Sequence, residues 1–333
     1  MLILGIESSC DDTAAAVLRD GRQVLSSVLS SQDQIHSRFG GVVPELASRN
    51  HLENITPIVQ SALETAGCGL ENIDLIAATQ GPGLIGSLLV GFSYAKALSF
   101  QAGIPFIGVD HMAGHLLAVF LESDVTFPYV ALIASGGTSS IFLVKSHTEF
   151  QHLGRTRDDA AGEAFDKVAK LLQLPYPGGP HVSKMADAGN GQAIAFPRAW
   201  LDEDSLDFSF SGVKTAVLNH CHRERQSDSA LQIEDICASF QEAVIEVLVE
   251  KTARAATLHN VDTIVLGGGV SSNLRLRQAF SDRCHKDGRT LHVPRPAYCT
   301  DNGAMIALAG YYKYHQFGEM HHGEDVYSRS VLG

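Results

Sequence analysis

The chain has 333 residues, of which 25 are basic and 37 acidic, giving a formal net charge of −12. That balance argues against gripping nucleic acid by bulk electrostatics, so any RNA contact falls to a local basic groove or to a partner. The length suits two domains or two lobes of a duplicated fold, and no apolar run reaches the roughly 18 residues a membrane span needs.

The N-terminus, MLILGIESSCDD, lacks the basic region of a secretion signal. The six cysteines (10, 68, 221, 237, 284, 299) include no CxxC pair. They read as reduced thiols rather than a zinc ribbon or disulfide framework. The expected location is cytoplasmic, with no membrane association.

Residues 2–18 read as a strand, a polar turn and a second strand of small apolar residues. Asp11 and Asp12 stand at the turn and Glu7 on the leading strand. Such carboxylates can orient water, a metal or an attacking amine, or can simply cap the turn. Asp11 is carried forward as the candidate catalytic group. DLIAATQ (74–80) reads as a buried strand, SLLVGFSYAKALSFQAG as a helix ending at Gly103, and IPFIGVD as the next strand. Between them GPGLIGS (81–87) nearly spells a P-loop. Ser87 and Leu88 stand where lysine and a hydroxyl residue are needed, so a Walker A site is rejected.

The strand FIGVD runs directly into HMAGHLLAVFL. His111 and His115 are four apart, so on a helix both imidazoles share one face and form a two-point metal clamp. The alternative is a solvated or core helix face. A third, oxygen ligand is supplied best by Asp301 in CTDNGAMIALAG, which could otherwise serve as a helix cap. A zinc protease of the HExxH type is excluded because Met112 occupies the general-base position.

Residues 129–144, YVALIASGGTSSIFLV, repeat the hairpin plan of the N-terminus. Two such hairpins suggest a duplication with a ligand-facing loop in each half. In RTRDDAAGEAFDKVAKLLQL, Asp158 or Asp159 is expected to cap a helix whose apolar face is Ala164, Phe165, Val168, Leu171 and Leu172. Asp166 falls on its polar face, as a ribose ligand or a solvated acid. PYPGGPHVSKMADAGNGQ (175–192) reads as a loop, and the acidic segment up to Ser211 as irregular.

ICASFQEAVIEVLVEKTARAATL (236–258) has helical spacing and precedes the strand VDTIVLGGGV. GGGVSSNLRLR (267–277) then joins a strand to a helix, whose unpaired N–H groups suit a nucleotide phosphate. Ser272 breaks GxGxxG, which excludes a dinucleotide-binding Rossmann domain. The overall alternation favours an α/β protein with a mostly parallel sheet.

Together GIESSCDDTAAAV, FGGVVPELASRNH, GPGLIGSLLVG, YAKAL, GVDHMAGH, DDAAGEAFDKVAK, YPGGP, FSFSGVKT, GGGVSSN and CTDNGAMIA resemble the tRNA N6-adenosine threonylcarbamoyltransferase family, in the family's order from residue 5 to about 309. The resemblance implies an actin-like, hsp70-like duplicated fold of two lobes with a nucleotide and metal cleft between them. Residues 1–108 would form the N-terminal lobe, completed by the helix after about 303, and 109–333 the C-terminal lobe, carrying the metal and nucleotide site.

It also implies one divalent metal on His111, His115 and Asp301, iron(II) or zinc. Threonylcarbamoyl-adenylate, or an AMP- or ATP-like nucleotide, would lie along Ala134, Ser135, Gly136, Gly137, Thr138, Asp166, Gly179 and Asn273. Implied partners are tRNA, a paralogous actin-fold protein and a small P-loop ATPase. Two departures stand out. SGGTSS replaces SGGHTQ, so that Thr138 stands for a histidine, and Ser183 stands where an acid is frequent. The rivals are an actin-fold small-molecule kinase and a non-catalytic actin-like scaffold; neither requires HMAGH.

Overall fold

The computed structural model describes residues 1–202, 204–226, 230–320 and 323–332. The elements run β1 Leu2–Glu7, β2 Asp12–Arg19, β3 Gln23–Ser31, α1 Asp33–His36, α2 Pro44–Ala66, β4 Leu75–Gly81, α3 Ile85–Ala102, β5 Phe106–Asp110 and α4 His111–Leu117. They continue with β6 Tyr129–Ala134, β7 Ser139–Val144, β8 Phe150–Arg155, α5 Ala161–Leu171, α6 Gly178–Ala186, α7 Ser211–Gln226 and α8 Ile233–Leu258. The chain closes with β9 Thr263–Gly267, α9 Leu274–Asp287, β10 Thr290–His292, α10 Pro296–Cys299 and α11 Gly303–Phe317. By its contacts the chain divides into two units. One is Met1–Phe127 with Val144–Gln151 and Pro294–Gly333; the other is Pro128–Leu143 with His152–Val293.

The two sheets have the same plan. Their strand orders are β3-β2-β1-β4-β5 and β10-β9-β6-β7-β8. In each, three consecutive strands form a meander, and two later strands add beside the first strand of the three. This is the duplicated actin-like α/β fold. The expected mostly parallel sheet is corrected: β1–β2 and β2–β3 are antiparallel, while β1–β4, β4–β5, β6–β9 and β9–β10 are parallel. Short polar turns can close only antiparallel pairs, whereas the later strands return through helices.

In the first unit β1 is covered on both faces, and Ala14 to Leu18 on β2 are wholly buried. Their small side chains let α11 approach closely; its residues Gly303 to Gly310 are all buried. Helices α2 and α3 end where expected for glycine, at Gly67 and Gly103, both with φ of 67°. Helix α4 follows β5 without a loop, and Asp110 at the junction accepts a hydrogen bond from Met112 N at 2.9 Å. No helix among the described residues is long and apolar enough to cross a membrane.

In the second unit the expected loop at 175–192 instead contains α6. Pro177, Gly178, Gly179 and Pro180 look like breakers, but they occupy the first turn, where helical N–H groups have no intrahelical partner anyway. Gly178 N donates to Asp166 Oδ1 at 2.7 Å, and Val182 and Ala186 are buried. The expected cap on α5 is also corrected. Its N-cap is Ala160, without a side-chain bond. Asp158 serves α7 instead, accepting Phe210 N at 2.8 Å and Ser211 N at 3.3 Å, while Asp159 pairs with Lys167 and Lys214, each at 2.6 Å.

The acidic segment before Ser211 carries no helix or strand among its described residues beyond one bridge, Thr156 to Phe208; Glu203 lies outside the described residues. Buried Lys251 on α8 holds this segment by donating to Trp200 O at 2.8 Å and to Asp207 O.

Candidate metal centre and nucleotide loops

Two segments of the first unit bring the three candidate metal ligands together. Helix α4 supplies His111 and His115 one turn apart, and Asp301 stands two residues before the start of α11. His115 Nε2 lies 3.2 Å from both His111 Nε2 and Asp301 Oδ1, and His111 Nε2 lies 3.5 Å from Asp301 Oδ1. A point central to such a triangle is about 2 Å from each corner, the bond length of nitrogen and oxygen ligands to zinc-like metals. Two imidazoles and a carboxylate also form a donor set accepted by iron(II) and zinc. The residues therefore fit a metal.

Glu7 completes the arrangement behind His111. It is wholly buried at the end of β1, and its Oε2 accepts His111 Nδ1–H at 2.9 Å and Thr79 Oγ1–H at 2.6 Å, while Oε1 accepts Ser9 N–H at 2.5 Å. The parallel register, with Ile6 opposite Ala78, sets Thr79 beside Glu7. A carboxylate on Nδ1 fixes the tautomer that leaves the Nε2 lone pair facing the triangle. His115 lacks this support: its Nδ1 is buried with no partner among the described residues.

In the metal-free protein these charges hold one another. Burial opposes a charged Glu7, yet His111 keeps it below the ordinary glutamate value. Burial likewise opposes charge on His111, but Glu7 and Asp301 raise it to about 9. Asp301 is held down to about 2, because the two histidines outweigh its burial. Asp12 moves the other way, to about 8, through burial and then the charges of Asp301 and Asp11. Asp11 is raised too, by burial first and with help from the Asp301 charge, against a lowering hydrogen bond with Cys10. A cation in the triangle would offset the Asp301 charge and relax both.

The candidate nucleotide-binding residues all lie in the second unit. Ser135 to Thr138 form the β6–β7 turn, closed by Ser135 N–H to Thr138 O at 2.7 Å and Thr138 N–H to Ser135 Oγ at 3.2 Å. A Cβ on Gly136, Gly137 or Gly179 would meet nothing within 4 Å, so backbone is open there. Gly268 has φ of 81°, and a Cβ on it would strike Ala134, so only glycine lets β9 turn over the end of β6. Asp166 holds Gly178 at the start of α6, as given above.

Asn273 is more heavily committed than GGGVSSN suggests. Its Oδ1 caps α9 by accepting Leu276 N–H at 2.9 Å, and its Nδ2 donates to Gln241 Oε1 at 2.7 Å and to Ser183 Oγ at 3.4 Å. Sequence reasoning missed buried Gln241; the signal was a long polar side chain on an otherwise apolar helical face. Asn273→Ala is expected to lose the cap, worth about 1 kcal/mol, and to strand Gln241 Oε1 at about 1–3 kcal/mol more. Asn273→Asp keeps the cap and should lose less. Urea unfolding of the two variants checks this, and equal stabilities would show that the cap contributes little.

Comparison with known proteins decides the family. The sequence profile of the tRNA N6-adenosine threonylcarbamoyltransferases matches residues 23–308. A curated protein of that name from Desulfotalea psychrophila is 63% identical over 100% of this chain and 98% of its own length. One from Bacillus subtilis is 51% identical over 93% of this chain and 90% of its own. The chain belongs to this family.

The transferase is also similar in fold to more distant proteins. Full-length HypF in its phosphate- and nucleotide-bound form matches with a TM-score of 0.62 at 12% identity, over 96% of this chain and 56% of that one. Component A of the (R)-2-hydroxyglutaryl-CoA dehydratase of Acidaminococcus fermentans matches at 0.57 and 16% identity, over 95% and 99%. At such identity these likenesses speak to fold alone. The transferase thus joins an actin-like duplicated fold to a histidine–histidine–aspartate triangle.

Proposed function

We propose that this chain transfers the threonylcarbamoyl group from threonylcarbamoyl-adenylate to N6 of the adenosine 3′ to the anticodon, position 37, in tRNAs reading codons that begin with A, releasing AMP. Family membership supports the transfer to tRNA, and the triangle of His111, His115 and Asp301 is the single observation that carries the site. The adenosine amine bonds to the carbamoyl carbon, and the bond from that carbon to the phosphate oxygen breaks. AMP leaves with the electron pair, and the amine proton passes to base or solvent. The mixed anhydride is already activated, so the protein needs no nucleophile; its task is positioning and charge stabilisation.

The chain's own residues divide that task. In the second unit, the Ala134 to Thr138 turn, through its open N–H groups at Gly136 and Gly137, and the start of α6 at Gly179 receive phosphate, and Asp166 and Asn273 face the nucleoside, each with hydrogen-bonding capacity already shared with its surroundings. In the first unit, Glu7 keeps His111 Nδ1 protonated, so His111, His115 and Asp301 present lone pairs to one divalent ion, iron(II) or zinc. That ion, when bound, supplies a Lewis acid for the transferred group. Asp12, protonated near neutral pH in the metal-free protein, and Asp11 are acids at the turn of the first hairpin that feel the Asp301 charge. Asp11 is the candidate for taking the amine proton.

The charge of −12 argues that the chain alone grips tRNA weakly, and the family resemblance supplies the candidate partners. Phosphate contacts for tRNA come largely from other proteins, for which a paralogous actin-fold subunit and a small P-loop ATPase are the candidates, in the cytoplasm. The segment FGGVVPELASRNH offers Arg38 and Arg49, though Arg49 is already paired with Glu45 at 2.6 Å. Mass spectrometry of tRNA nucleosides tests the proposal. Cells depleted of the protein should lose threonylcarbamoyladenosine, and wild-type protein but not Asp301→Ala should restore it. Unchanged modification after depletion would overturn it.

A further inference from the structure

The C-terminal segment lies beyond the residues 23–308 matched by the family profile, yet it is fastened to the strand ends that carry the triangle. Lys96 Nζ donates to Glu324 O, Gln80 Nε2 donates to Asp325 O at 2.8 Å, and Tyr327 N donates to Gln80 O at 3.1 Å. Val326 packs against the core of the first unit. The register of β4 against β5 shifts between Thr79 and Gly81, which frees Gln80 for these bonds. A Cβ on Gly81 would strike the Tyr327 carbonyl and ring, so the segment rests directly on the strand end.

Two side chains of this segment then converge on one carboxylate oxygen. Tyr327 OH and Ser330 Oγ each donate to Asp110 Oδ2 at 3.0 Å. Asp110 is 6% exposed, and its other oxygen caps α4 through Met112 N. We propose that residues 324–330 are a strap that fixes the metal-bearing helix, with Tyr327 and Ser330 as positioning residues for His111 and His115 acting through Asp110. This rests on the metal reading of the triangle.

The physical need is plain. Helix α4 has seven residues, well under the roughly 12–15 at which a helix begins to hold itself in water. Its direction is therefore set by its cap and its neighbours. With Oδ2 held from the strap and Oδ1 from Met112, the Asp110 carboxylate has one orientation, and the first turn, where His111 sits, inherits it. A second route reaches the same ligand. Gln80, bound by the strap, follows Thr79, which holds Glu7, which holds His111 Nδ1. Both the cap of the helix and the orienting partner of its first ligand thus depend on where residues 324–330 lie.

The test uses the full chain, with zinc as probe and a fluorescent chelator as competitor. Tyr327→Phe with Ser330→Ala should weaken zinc binding about 10- to 100-fold, the range seen on removing groups that orient metal ligands. Amide exchange over residues 112–117 should quicken in the metal-free protein. Tyr327→Phe alone removes one hydroxyl and should give a smaller loss in a chain that folds. Ser99→Ala, which deletes the buried bond from Ser99 Oγ to Ile104 O at 2.6 Å in the same unit, should lower the melting temperature without changing zinc affinity. Zinc affinity unchanged in the double variant, or falling no more than in a control of equal melting temperature, overturns the strap alone. Failure of the wild-type chain to bind zinc or iron(II) overturns the metal reading and the strap with it.

Discussion

Asp301→Asn is expected to leave the chain folded, to strip it of metal, and to lower transfer roughly a thousandfold or more. The substitution is nearly isosteric at a site that is only partly buried, with 24% of the side chain exposed. An amide can still bond to His115 Nε2, so the stability cost should stay within about 1 kcal/mol. As a ligand, however, a neutral amide replaces the only carboxylate of the triangle. Loss of groups that merely orient ligands costs 10- to 100-fold in affinity, and loss of a ligand itself should cost more. Lewis-acid stabilisation is worth several kcal/mol, and each 1.36 kcal/mol is tenfold in rate. AMP affinity, proposed to rest on second-unit residues, should be nearly unchanged. Elemental analysis, calorimetry with AMP and single-turnover transfer on the same preparation check the three statements. A variant that keeps one metal per chain would remove Asp301 from the ligand set.

The elements legible in the sequence were those whose signal is local. Paired hairpins announce themselves by strand–polar turn–strand patterning, and HMAGH follows FIGVD without a break, so the helix and its clamp were both readable. Asp301 could be named because an acid before a run of small apolar residues is conspicuous. What failed was reading residues whose partners lie far along the chain. Gly178 and Pro180 looked like loop formers because their usefulness in a first turn depends on Asp166, 12 residues earlier. Asp158 looked like a cap for the next helix and instead caps α7, 52 residues on. Glu7 carried a better hint than its neighbours, being a carboxylate inside LILGIE, a strand otherwise fit for burial on both faces. The strap left no hint at all. Residues 324–330 form no helix or strand and show no period, and their meaning lies in contacts that span 217 residues of chain or more.

Gly303→Ala should uncouple the third ligand from the first two while lowering stability. Gly303 begins α11 against β2, and a Cβ there would lie 2.6 Å from both Ala15 C and Ala16 N. Backbone atoms of a central strand cannot rotate away, so the helix must back off. Overpacking of this kind costs typically 1–3 kcal/mol and sometimes more. Alanine's better helix propensity returns at most about 1 kcal/mol, and less at a first-turn position. The clash therefore wins, by about 2 kcal/mol, lowering the melting temperature by roughly 4–8 °C at 2–4 °C per kcal/mol. Asp301 lies two residues ahead of the displaced turn, and Asn302 between them caps the helix through Met305 N at 2.9 Å. Movement of the first turn is thus passed directly to the Asp301 carboxylate, and metal affinity should fall at least tenfold. Gly310→Ala is the contrast. It meets the side chains of Ala77 and Ile107 at the middle of the same helix, about two turns from Asp301, so it should destabilise comparably and leave the triangle intact. Melting curves beside zinc competition separate the two variants. If both lose metal in step with stability, the ligand set responds to the whole unit rather than to the first turn of α11.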